Sequence, residues 1–139
     1  MDVYFSCSLT GGRQDQPVYA ALVQHLRDLG HRVLTAHLAE PGVMAQDALL
    51  DAAAVYARDL AWLEDCDALV AEVTTPSHGV GFELAHARTL GKPVLCLHRA
   101  GTRVSKMLTG CPDFSLGSYA DPAEAQALAG RFLAELARA

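Results

Sequence analysis

The sequence predicts an α/β fold: one domain over residues 1–139, with an open parallel sheet of about five strands and helices on both faces. This is the flavodoxin-like or Rossmann-like arrangement, and three observations predict it. Short β-rich apolar runs alternate with segments whose apolar residues recur at helical spacing. The run Ala68 to Val73 is almost continuously apolar, as a central parallel strand covered on both faces must be. It is followed at once by Thr74-Thr-Pro-Ser77-His-Gly79-Val-Gly81-Phe-Glu83, a polar loop with glycines that opens a helix. Parallel α/β sheets place their sites at such junctions, where strand carboxyl ends meet helix amino ends.

Taken in order, Val3 to Cys7 is the first strand, ending in the small-residue loop Ser8-Leu-Thr10-Gly-Gly-Arg13. Val18, Leu22, Leu26 and Leu29 then mark a helix that Gly30 closes. Arg32 to Thr35 reads as the second strand. Pro41-Gly42 breaks the chain, and one Ala-rich helix is expected from about Met44 to Glu64, with Leu49, Ala53, Tyr56, Leu60 and Leu63 as its apolar stripe. After the third strand, a helix runs through Phe82, Ala85 and Leu90 to Gly91. Val94 to Leu97 is the fourth strand, residues 103–108 form a short helical or irregular piece, and Phe114 to Leu116 is a short edge strand. Asp121 as cap, Pro122 at the first position and Glu124 at the third open the last helix, whose buried face is Leu128, Phe132, Leu133 and Leu136. A strand order of 2-1-3-4-5 would place the crevice between strands 1 and 3. Tyr4, Ser8 and Thr10 would then face Ser77, Gly79 and Glu83 across one cleft.

Bulk properties exclude several classes. A net charge of −5 without any basic run argues against a nucleic-acid surface. The apolar runs are far shorter than a membrane span, and no leader-like segment precedes Asp2, so a cytoplasmic protein is expected. Cys7, Cys66, Cys96 and Cys111 lack metal-ligand spacing and read as reduced, mostly buried thiols. The six histidines form no pair on one helical face, so no metal is expected.

Two acids beside a sugar ring suffice to break a glycosidic bond, one attacking the anomeric carbon and the other assisting the leaving group. Glu83, in or near the first helical turn, would be kept ionised by the helix dipole and suits the nucleophile. The same position also suits an ordinary surface Glu. Asp59 borders an apolar stripe that should raise its pKa, and it suits a proton donor or an orienting role, or else a solvated one. Tyr4 is placed to hydrogen-bond one Glu83 oxygen. Ser77, with the amides of Gly79 and Gly81, would cradle a phosphate, although Ser77 also reads as a plain helix cap.

The blocks Tyr4-Phe-Ser-Cys-Ser8-Leu-Thr10-Gly-Gly-Arg13, Asp59-Leu-Ala-Trp62-Leu, Val70-Ala-Glu72-Val-Thr-Thr-Pro-Ser77-His-Gly79-Val-Gly81-Phe-Glu83-Leu and Ser105-Lys-Met107 resemble those of 2′-deoxynucleoside 5′-monophosphate N-hydrolases. These belong to the nucleoside 2-deoxyribosyltransferase superfamily, and the resemblance spans nearly the whole chain in order. It implies a flavodoxin-like homodimer that cleaves the N-glycosidic bond of nucleoside monophosphates without metal or cofactor. By matching position, Glu83 resembles the family nucleophile, Asp59 its acid partner and Tyr4 its orienting tyrosine. Ser8, Ser77 and Gly79 resemble phosphate contacts, and His37 a histidine near the base pocket. Ser105 resembles a serine that reaches the phosphate of the neighbouring subunit.

Two positions depart from the family pattern. Thr10 stands where an arginine helps to hold the phosphate, and Cys7 stands in place of a glycine. Losing that arginine removes a charge-assisted bond of ~1.5–3 kcal/mol. Arg13 and Arg103 are the candidates to compensate. Two rival readings remain beside the hydrolase. One is a transferase passing deoxyribose between bases, whose family pattern carries an acid where Ser77 stands. The other is a non-catalytic nucleotide-binding module, which has no need of Glu83, Asp59 and Tyr4 together.

Overall fold

A computed structural model describes residues 1–139. Five strands, β1 (Asp2–Ser6), β2 (Arg32–Val33), β3 (Ala68–Glu72), β4 (Val94–Arg99) and β5 (Phe114–Tyr119), form one sheet in the order β2-β1-β3-β4-β5. Every pairing is parallel, with Tyr4 opposite Leu69 and Ala71 opposite Cys96. The open parallel sheet and its 2-1-3-4-5 order are as expected. No helix is long and apolar enough to cross a membrane.

Strand alternation sorts the core into two layers. Val3 and Phe5, Ala68 and Val70, and Leu95 and Leu97 point to the face covered by α1 (Gln16–Asp28) and α6 (Pro122–Leu136). Tyr4, Leu69 and Ala71, and Val94 and Cys96 point to the opposite face, covered by α3 (Ala52–Asp65) and α4 (His78–Thr89). Tyr4 therefore shares a layer with the helices that carry Asp59 and Glu83.

Several elements differ from expectation for local reasons. The single helix from Met44 to Glu64 is two helices, α2 (Val43–Asp47) and α3, separated at residues 48–51. Asp51 caps α3 by accepting a bond from the Ala54 N–H at 3.2 Å, and such a cap ends helical pairing on its amino side. The expected stripe fails with the break: Leu49 is 87% exposed and Tyr56 57%, while Leu63 is buried. Strand β2 spans only two residues because Thr35 takes over its pairing. The Thr35 hydroxyl accepts from the Phe5 N–H at 2.9 Å and donates to the Phe5 carbonyl at 2.6 Å. The chain then turns through a 3-10 helix at Ala36–Ala39.

Leu29, at the C-cap of α1, is exposed, and Gly30 follows with φ +85°. The buried face of α4 is Val80, Leu84 and Ala87, leaving Phe82 half-exposed. Strand β5 extends to Tyr119, longer than the short edge piece expected. Asp121 caps α6 from the Glu124 N–H at 2.9 Å, and the Glu124 carboxylate accepts from the Ala120 N–H at 2.7 Å, which closes the predicted start. The fully buried side of α6 is Ala125, Ala129 and Leu133, with Leu128, Phe132 and Leu136 packed at its margin. The short helical piece expected at residues 103–108 is the helix α5 (Lys106–Thr109), with Gly110 at its C-cap. All four cysteines are free thiols, three of them buried.

Candidate active site

The period of two along β1 builds the centre of the site. Tyr4 and Ser6 lie two residues apart and project to the same face, and both are fully buried. The Tyr4 hydroxyl donates to Glu83 Oε1 at 2.8 Å, and the Ser6 hydroxyl donates to Glu83 Oε2. Each oxygen of the carboxylate thus has its own donor, which fixes its plane. Ser6 was not singled out from the sequence. The signal was present, because any strand register that brings Tyr4 to Glu83 also brings the residue two along.

Glu83 itself departs from expectation. With Ser77 as the N-cap and His78 first in the helix, Glu83 lies in the second turn of α4, beyond the strongest reach of the helix dipole. Burial raises its pKa; the Ser6 and Tyr4 hydrogen bonds oppose that rise, and the nearby Asp59 charge adds to it. Neighbouring hydroxyls, more than the helix end, favour the ionised form. Burial also drives the Tyr4 phenol upward, reinforced by the Glu83 and Asp59 charges, so Tyr4 acts as a neutral donor.

Asp59 and Glu83 line one cavity of about 370 Å³ between α3 and α4, with Asp47, Val55, Tyr56, Leu60 and Phe82 among its walls. Arg58 holds Asp59 Oδ1 through Nε and Nη2, both at 2.9 Å. The Arg58 guanidinium also lies 4.8 Å above the Trp62 ring, and Trp62 meets His37 at 5.7 Å between ring centroids. His37 is therefore placed behind Asp59 through this stack and is absent from the cavity wall. Burial lowers its pKa, helped by Arg58. Phe82 and Tyr56 meet at 6.0 Å on the rim of the cavity, so Phe82 belongs to its wall and not to the core.

The amino end of α4 separates this cavity from a larger one of about 640 Å³, lined by Thr75, Ser77, Gly81, Arg103, Ser105 and Met107 among others. Ser77 caps the helix, accepting from the Val80 N–H at 3.4 Å, so its cap reading holds. Gly79 borders the smaller cavity beside Glu83. Gly81 does not offer its amide to a ligand, contrary to expectation, because that N–H donates to the Ser77 carbonyl at 3.1 Å. The β1 loop packs directly against this turn. A Cβ at Gly11 would collide with the Pro76 carbonyl and come within 2.8 Å of Ser8 Oγ. The Ser8 hydroxyl is fully buried and has no partner, and Thr10 is exposed on the same loop.

Of the two cations considered as substitutes for an arginine at position 10, Arg13 is committed elsewhere. It donates to the Ser8 carbonyl at 3.2 Å and the Glu40 carbonyl at 3.0 Å, and it lies 5.4 Å over the Tyr19 ring. Burial pushes the adjacent Cys7 thiol up to about 12. Arg103 is exposed and forms no ion pair, and it lines the larger cavity with Ser77 and Ser105. Ser105 caps α5 through the Met107 N–H at 3.2 Å, and Met107 is 82% exposed beside it.

Residues 3–121 match the family model for nucleoside 2-deoxyribosyltransferase. The 5-hydroxymethyl-dUMP N-hydrolase of Mus musculus is 44% identical over 126 residues, covering 86% of this chain and 72% of that protein. The solved CMP N-glycosidase of Clostridium botulinum shares the fold with a TM-score of 0.71 at 16% identity, covering 95% of this chain and 99% of that one. A 2-deoxyribosyltransferase from Bacillus psychrosaccharolyticus superimposes with a TM-score of 0.63 at 22% identity, covering 91% and 90% of the two chains.

Proposed function

The chain belongs to the nucleoside 2-deoxyribosyltransferase family, and on that premise we propose that it hydrolyses the base–sugar bond of (deoxy)nucleoside 5′-monophosphates. The observation that carries this reading is the Glu83 carboxylate, held by Tyr4 on one oxygen and Ser6 on the other, in a cavity that Asp59 also lines. A fixed carboxylate with a second acid beside it is the equipment of glycosidic cleavage through a covalent intermediate.

In this mechanism Glu83 attacks C1′, and the electron pair of the C1′–N bond leaves with the base. Asp59 assists the departing base with a proton or by orienting it. Arg58 holds one Asp59 oxygen and leaves the other without a side-chain partner. Water then attacks C1′, its proton passes to Asp59, and Glu83 departs as carboxylate, giving free base and sugar 5-phosphate. No metal or cofactor enters this scheme.

The 5′-phosphate is assigned to the amino end of α4, where Ser77, the Gly79 amide and the Ser8 loop converge. Arg103 is the cation free to meet it. Ser105 and the exposed Met107 on the larger cavity support a homodimer in which Ser105 completes the neighbour's phosphate site. Ser77 in place of an acid favours a phosphorylated substrate over the free nucleosides of a transferase, since a carboxylate there would repel a dianion.

The test is chromatographic detection of free base from a panel of ribo- and deoxyribonucleoside monophosphates and the corresponding nucleosides. A second free base is added to one set, and Glu83→Ala runs in parallel. The expected result is base released from monophosphates and abolished in the variant. Base exchange on unphosphorylated nucleosides would make the protein a transferase, and nucleotide binding without release would make it a binding module.

A further inference from the structure

The sheet face away from Glu83 carries a second set of polar groups that glycosidic cleavage does not use. Glu72 ends β3 one position beyond Ala71, so it projects to the α1 and α6 side, and it is fully buried. Its Oε1 accepts from the Tyr119 hydroxyl at 3.0 Å, from the Thr74 N–H at 3.2 Å and from the Thr74 hydroxyl. Its Oε2 is buried without a partner, as is the Tyr19 hydroxyl. A buried carboxyl so placed costs stability, because burial is the largest influence on it and raises its pKa. An apolar residue would close the core at less cost.

The bonds from Glu72 lead into the turn that carries the proposed phosphate contacts. Thr74 Oγ1 also accepts from the Arg99 N–H at 2.9 Å, which ties the turn to the end of β4. The Arg99 guanidinium pairs with buried Asp15, and the Thr75 hydroxyl donates to the other Asp15 oxygen at 3.4 Å. Pro76 abuts Gly11, and Ser77 caps α4. Each residue from Thr74 to Ser77 is therefore anchored, and Thr74 has its anchor in Glu72.

We propose that Glu72 is a positioning residue for the 5′-phosphate, acting through Thr74 to hold the β3–α4 turn where Ser77 and the Gly79 amide meet the ligand. The inference rests on the nucleotide reading above. A turn ordered in advance does not have to be ordered by the ligand, so the gain falls on binding of phosphorylated substrates. Catalytic groups on the opposite face keep their geometry.

The test compares wild type with Glu72→Leu, Thr74→Val and Tyr119→Phe, measuring KM and kcat on a nucleoside monophosphate. Calorimetric Kd is measured for that monophosphate and for its unphosphorylated nucleoside, alongside Tm. Thr74→Val is nearly isosteric, removes the hydroxyl link, and keeps the test open should Glu72 variants fold poorly. Thr74→Val is expected to raise KM and Kd for the monophosphate about tenfold, with kcat within about threefold and nucleoside affinity unchanged. Combined with Glu72→Leu, which removes the acceptor, it should add little further loss, because both cut one link. A lowered Tm with unchanged monophosphate affinity would overturn the proposal, as would equal losses on both ligands or a wild type that binds neither. A wild type that binds but never releases base would sink the hydrolase reading alone, and weaker monophosphate binding by Thr74→Val that Glu72→Leu does not deepen would still uphold the role of Glu72.

Discussion

At the scale of single residues, the site is a contest between burial and hydrogen bonding at Glu83. Burial raises its pKa, while the Tyr4 and Ser6 hydroxyls pull it down by bonding the ionised form. A nucleophilic carboxylate must be ionised, so kcat/KM should fall as pH drops through this raised pKa. Tyr4→Phe and Ser6→Ala each remove a donor to the carboxylate, and the acid limb of the profile should move to higher pH by on the order of one unit. A limb unmoved in both variants would mean that another group governs it. The same shift has a stability consequence. The folded state holds the Glu83 proton more tightly than the unfolded state, so stability is full at low pH and declines as pH rises through the folded pKa. Glu83→Gln should therefore be inactive yet at least as heat-stable as wild type at pH 7 to 8, with any advantage vanishing below about pH 4.

At the scale of elements, close approaches are set where a side chain would not fit. Gly117 on β5 faces α6, and a Cβ there would come within 2.8 Å of Leu97 Cδ2 and 3.1 Å of Leu128 Cδ1. Gly117→Ala should destabilise by ~1–3 kcal/mol through overpacking and leave KM unchanged, since this contact lies far from α4. Thermal unfolding and substrate kinetics check the two halves. Gly11→Ala makes the contrast. Its Cβ would meet the Pro76 carbonyl backbone, which cannot swing away, so it should separate the two loops of the proposed phosphate site and raise KM for monophosphates. Helix caps explain why elements were legible to different degrees. Asp121-Pro122 with Glu124 announced α6 through local bonds, whereas the Asp51 cap that splits α2 from α3 sits inside an Ala-rich run whose helical propensity masks it.

At the scale of the whole molecule, two cavities share the amino end of α4, and exposed apolar residues lie along both: Tyr56 and Phe82 on one, Met107 on the other. A homodimer with Ser105 completing the neighbour's site makes a definite prediction. Equimolar Glu83→Ala and Ser105→Ala, allowed to exchange subunits, should form mixed dimers in which one site is intact on both counts. Activity on monophosphates should then exceed the sum of the separate variants, and Met107→Asp should shift the protein toward monomer in sedimentation velocity. Additive activity with a persistent monomer would remove the dimer from the account.

Sequence alone determined the sheet, because strand periodicity and the alternation of runs are local signals, and a parallel sheet with a glycine-bearing junction has few topologies open to it. It also singled out Glu83, Tyr4 and Asp59, but alternation says only that Tyr4 lies opposite Val3 and Phe5, and the structure put it on the side of α4. Tertiary structure alone decided which groups control that carboxylate. Ser6 joined the site by strand register, and the Gly81 amide left it because the helix claimed its hydrogen bond. Arg13 was consumed by two carbonyls, and Glu72 became an anchor for the opposite face of the same turn. The physical reason is that a hydrogen-bonding group has few bonds to give, and partners distant in sequence settle where they go.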